Sequence, residues 1–198
     1  VSGGALNVNG SIRRSTSTIT GALVYNQTGG TVTVGGRSSN TTRGVFEIDF
    51  NPGSSFTLTG TGTLIVERQT GGTGYADVFI NAATNNVSST STIAVGLNGA
   101  AQTNLRVNIA PSVGNFTVVG GTSAQTVNLF SNPMIVGGNL TITSPSILVT
   151  NSLDVTIAGN LDITGTGVYT GGTNTTTFNG TGAQAAALSA GSTFNNVT

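Results

Sequence analysis

Short runs that alternate apolar and polar residues, tight Gly/Asn punctuation and a phrase recurring every twenty-odd residues predict one fold class. The chain is expected to be all-β, wound as a right-handed parallel β-helix with rungs of roughly 20–25 residues. The alternation is clearest in VFEIDF (45–50), where Phe46, Ile48 and Phe50 fall on one side of a strand and Glu47 and Asp49 on the other. The same signature appears in GGTVTVGG (29–36), SFTLTGT (55–61), NFTVVGG (115–121), NLTIT (139–143), LDVTI (153–157) and NLDIT (160–164). Each run is rich in Val, Ile, Leu, Phe and Thr and bounded by Gly, Asn or Ser. No helix is expected. AQAAAL (183–188) has helical propensity, but Gly182 and Gly191 leave it little room.

The repeat shows best where Gly-Asn-Leu/Phe opens three strands, at Gly114, Gly138 and Gly159, with offsets of 24 and 21. In the first half, Val32, Phe56 and Phe79 are read as equivalent positions, at offsets of 24 and 23. A longer echo pairs FTVVGGTSAQTVNL (116–129) with TTFNGTGAQAAAL (176–188), whose Ala-Gln pairs begin at Ala124 and Ala183, far enough apart to hold two or three of the shorter units. Units this small cannot bury an inner face alone, but they do so when stacked on their neighbours. Strands of one rung would then bond to the next at about 4.8 Å, around a narrow column of Val, Ile, Leu and Phe. The alternative is an antiparallel β-sandwich, which has similar turn spacing. Residues 1–198 are read as a single β-helix segment of a longer protein, because the chain opens without Met and stops inside a repeat phrase.

Composition restricts the chemistry. Charged residues are 6% of the chain, against about 25% in an ordinary domain. Stacking explains the deficit, since like charges at equivalent positions of adjacent rungs repel whereas Thr and Asn ladders hydrogen-bond. Six Arg, no Lys and six acids leave a net charge of zero and no basic stripe, so no nucleic-acid partner is expected. The apolar runs are too short for membrane insertion. With no His and no Cys, Ser-His-Asp triads, Cys-His dyads, disulfides and His- or thiolate-based metal sites are excluded. The lack of Cys says little about compartment.

What remains is weighed residue by residue. Asp154 and Asp162 hold the same place in LDV and LDI, but their spacing is less than one rung, which puts them on different faces or at a corner. Glu47 and Asp49 share a strand face about 7 Å apart, with Arg43 and Arg68 as neutralising partners. Both pairs are expected to be solvated or salt-bridged surface groups. TGGTGYAD (70–77) has the glycines of a calcium-binding roll but one carboxylate. Sequons at Asn26, Asn40, Asn115, Asn139, Asn174 and Asn179 fit chance in an Asn- and Thr-rich chain, and Tyr25, Tyr75 and Tyr169 fit partly buried turn positions. Thr-x-Thr phrases suggest an ice-binding face, yet the uneven offsets argue against one Thr register. No catalytic, cofactor-binding or metal-ligating residue is assigned.

The closing stretch TTTFNGTGAQAAALSAGSTFNNVT (175–198), with GGTVTVGG, GSSFTLTGTGTLIV and GGTGYADVFINAATNNV, resembles a known family. It is similar to the repetitive β-helical regions of very large surface proteins exported by the type IX secretion system of Bacteroidota. The similarity covers most of the chain from about residue 20. It implies a stalk or filament segment of an extracellular cell-surface adhesin, serving attachment or gliding motility, with no catalysis and no cofactor. Its partners would be adjacent repeats of the same chain, secretion and anchoring machinery reached through regions outside the segment, and glycans or solid surfaces. The alternatives are a carbohydrate- or ice-binding solenoid module and a polysaccharide-cleaving β-helix enzyme.

Overall fold

The structure, a computed structural model, describes residues 1–15, 20–36, 43–72, 74–97, 99 and 101–198. Among the described residues there are 21 strands and no helix. Every strand pairing is parallel, and partners lie one winding apart in sequence. The chain is therefore a parallel β-helix. An antiparallel sandwich is ruled out.

Three faces build the coil. The long face stacks β1 (Ala5–Val8), β3 (Thr31–Val34), β6 (Thr63–Val66), β9 (Thr92–Val95), β11 (Asn115–Val118), β14 (Leu140–Ile142), β17 (Leu161–Ile163) and β20 (Ala186–Ala187). The second face stacks β4 (Phe46–Ile48), β7 (Val78–Ile80), β10 (Gln102–Ile109), β12 (Gln125–Leu129), β15 (Ile147–Val149) and β18 (Val168–Thr170). The third face comes in two pieces. The first holds β2 (Val24–Gln27), β5 (Ser55–Leu58) and β8 (Thr84–Val87), and the second holds β13 (Met134–Val136), β16 (Val155–Ile157), β19 (Thr175–Phe178) and β21 (Asn196–Val197).

The break in the third face has a local cause. β10 is unusually long and runs to Ile109, so only 110–114 remain before β11 begins at Asn115. Pro111 has no N–H to give a ladder, and the winding contributes a single bridge there, Val113 to Val136.

On the long face one inward position runs Leu6, Val32, Leu64, Ile93, Phe116, Leu140, Leu161, Ala186. Successive windings are therefore unequal, the longest running from Val32 to Leu64 and the shortest from Leu140 to Leu161. The three Gly-Asn-Leu/Phe phrases do occupy one register, because Phe116, Leu140 and Leu161 are direct partners. The first-half reading does not hold. Val32 lies on the long face, Phe56 on the third and Phe79 on the second, so each offset moves to another face instead of completing a turn. The long echo fails in the same way, since residue 116 is on the long face and residue 176 on the third. All three faces use the same Val, Thr and Gly vocabulary, so similar phrases need not be equivalent positions.

The core is the predicted column. Tyr25 and Phe56 stack with ring centroids 5.5 Å apart, Phe46 meets Tyr25 edge-on at 5.1 Å, and Tyr169 stacks on Phe194 at 4.8 Å. VFEIDF departs from strict alternation. Phe46 and Ile48 are buried, but Phe50 is 68% exposed while Glu47 and Asp49 are buried. The strand stops at Ile48, and a second polar layer covers its outer side.

Corners need close backbone approach. Gly30 turns the chain from the third face to the long face at φ 64°, and a Cβ there would sit 2.4 Å from the carbonyl oxygen of Gly4 one winding below.

Phe116→Ala, at a fully buried position, is expected to cost about 3–5 kcal/mol in urea denaturation. Phe50→Ala should stay within about 0.5 kcal/mol; equal losses would restore the strict alternation.

Candidate functional site

Polar groups concentrate in two places, a covered belt outside the second face and the open outer rows of the long face. The belt is ionic. Arg14 donates from Nη2 to Oδ1 of Asp49 at 2.9 Å and from Nε to Oδ2 at 2.5 Å. Arg43 pairs with Glu47, and Arg106 with Asp77 at 3.2 Å. Asp77 also accepts the backbone N–H groups of Thr70 at 2.5 Å and Arg106 at 2.6 Å. Glu47 and Asp77 are fully buried. Tyr75 contributes a hydrogen bond to Glu47 and packs its ring on Phe79, 5.1 Å away.

Burial and pairing act on these acids in opposite senses. The hydrogen bond from Arg14 holds Asp49 below its usual 3.8. Desolvation pushes Glu47 up, opposed by Arg43, and pushes Asp77 up, opposed by the N–H groups of Thr70 and Arg106. Burial likewise lifts Tyr75 to about 12.

Of the carboxylates expected at the surface, Asp154 and Asp162 are exposed, whereas Glu47 and Asp49 are interior and salt-bridged. Glu47 and Asp49 each face their own arginine instead of an open cleft between them. Of the two arginines expected to neutralise this pair, Arg43 holds Glu47, whereas Asp49 is held by Arg14 and not by Arg68. Arg14 lies more than a winding before Asp49, so no local pattern signals the pair. Asp77, the one carboxylate of TGGTGYAD, is likewise occupied. Among the described residues no three potential metal ligands cluster.

The remaining candidates separate as the spacing implied. Asp154, at the corner before β16, accepts the backbone N–H of Thr175 at 2.8 Å. Asp162 projects outward from β17 on the long face. Tyr25 and Tyr169 belong to the inner column, where their hydroxyls meet Gln27 Oε1 at 2.5 Å and Thr176 Oγ1 at 2.7 Å. Asn40 lies outside the described residues, and Asn174 is buried.

The outer rows of the long face are regular and, apart from the buried Ala94, partly or fully exposed. One row reads Ala5, Thr31, Thr63, Thr92, Asn115. The asparagines at the head of the next two windings continue it. Asn115 Oδ1 accepts the N–H of Asn139 at 2.9 Å, Asn139 Oδ1 that of Asn160 at 2.8 Å, and Asn160 Oδ1 that of Ala185 at 2.9 Å. The other row reads Asn7, Thr33, Ile65, Ala94, Thr117, Thr141, Asp162, Ala187. Register survives the unequal windings because the connections between faces absorb the excess, notably the one from β6 to β7. Thr itself does not persist through either row, as the uneven offsets led one to expect, although the backbone pairing stays in register.

No known protein family, curated protein or solved structure matches the chain.

Because Asp49 sits below its usual 3.8, its ion pair stabilises the fold above that pH and the contribution is lost as the pH falls through the folded value. Asp49→Asn is expected to flatten the acid limb of stability in urea melts run below about pH 4. A variant with the parental slope would contradict the assignment.

Proposed function

We propose that the chain is a stalk segment of an extracellular bacterial surface adhesin, serving attachment or gliding and carrying out no reaction itself. The observation that carries this reading is the uninterrupted eight-strand parallel ladder of the long face. Eight strands at about 4.8 Å make a rod whose length is set by the number of windings. Each winding adds hydrogen bonds and an apolar interface, so extension costs the protein no separate core.

The exterior suits the same role. Its long-face rows are mainly Thr, Asn and Ala with a single carboxylate, a surface with little long-range electrostatic pull on passing ions or macromolecules. The likeness of 175–198 to repeats of exported surface proteins supports the location.

An antibody raised against this chain is expected to label intact cells that produce it, with the label removed by brief external protease. Labelling that requires permeabilisation would overturn the proposal.

A further inference from the structure

We infer that the shallow depression around Asp162 on the long face is a subsite for one sugar ring of a neutral glycan. This goes beyond the stalk reading, which depends on display at the surface and not on any ligand. The depression encloses about 250 Å³. It exists because β20 and the residue before it present only Ala185 and Ala187 outward, beside windings that present Asn and Thr or Asp at the same positions.

The asparagine ladder determines what the depression offers. The Oδ1 atoms of Asn139 and Asn160 are both occupied by backbone N–H groups of the following winding, at 2.8 and 2.9 Å. Those bonds fix each carboxamide and leave its Nδ2 as an outward donor, without a partner among the described residues. Beside them, Thr141 and Asp162 are direct neighbours on adjacent strands, about 4.8 Å apart. Asp162 is exposed and makes no hydrogen bond or ion pair among the described residues. The site thus holds two oriented amide donors, a hydroxyl that can donate or accept, and one unengaged carboxylate acceptor.

Other ligand classes fit this set poorly. A calcium ion wants six to eight oxygens, and the amide oxygens here are already committed. An anion would find no Arg or Lys in the lining and would meet Asp162. A sugar hydroxyl both donates and accepts, so neighbouring hydroxyls of one ring satisfy the Asn160 amide and the Asp162 carboxylate together. The volume is below the roughly 300–1,000 Å³ of sites that enclose a whole small molecule. That suits a single ring lying against the face, with the rest of the glycan in solvent.

The test is a nitrogen-15 NMR titration of the chain with the methyl pyranosides of glucose, galactose, mannose and xylose. At least one should shift the side-chain amides of Asn139 and Asn160 saturably, with millimolar affinity. Asp162→Asn should weaken that binding by about tenfold, since it removes a charged acceptor at an exposed position. Thr33→Ala, on the same row several windings away, should leave it unchanged. The proposal is overturned by no saturable shift with any of the four sugars, by undiminished binding in Asp162→Asn, or by calcium chloride producing the same saturable shifts.

Discussion

Backbone hydrogen bonding from each winding to the next, in register, is the constraint on which the rest of the molecule depends. Once Phe116 sits over Ile93 and Leu140 over Phe116, side-chain direction follows from strand alternation. The apolar column, the outer rows and the asparagine ladder are consequences of that stacking. Corners such as Gly30 are tight because adjacent windings must stay at hydrogen-bonding distance while the chain turns. The long face keeps its ladder across every winding, whereas the third face narrows to a single bridge where a short, proline-containing corner takes the place of a strand.

Charge is handled by a second device confined to the early windings. An ionised side chain in an outer row would face its counterpart one rung away. Among the described residues, three acids avoid that by turning into arginine pairs beneath the corner segments of the longer windings. A buried pair is costly to desolvate and is weak grounds for claiming net stability. Its firmer role here is to hold corner segments against the second face. Asp77, for example, ties Thr70 and Arg106 from different windings to one carboxylate. The shorter windings from Phe116 onward have no such layer among the described residues, and their outer rows are nearly neutral.

Much of the local structure was legible from residue order. Alternating runs became strands, AQAAAL became a short strand instead of a helix, and the Gly-Asn-Leu/Phe phrases fell into one register. Face identity was not legible. Val32, Phe56 and Phe79 look alike because any inward or outward β position accepts the same residue types, and only the full path around the coil tells which face each occupies. Phe50 and Asp49 exchanged environments because Arg14, from the preceding winding, supplies a partner that no local pattern predicts. The Asp162 depression was equally hidden, since it arises from two alanines one winding beyond the aspartate.

The stacking itself can be tested by covalent capture, since the chain has no native cysteine. Thr117 and Thr141 are direct partners on adjacent windings, with an expected separation of about 4.8 Å, within disulfide reach. Thr126 is nearer to Thr117 in sequence but lies on the second face. Under mild oxidation, Thr117→Cys with Thr141→Cys should cross-link in the folded protein, and Thr117→Cys with Thr126→Cys should not. Efficient linkage of the second pair without the first would mean that neighbouring segments fold back on each other, and the coil would have to be abandoned.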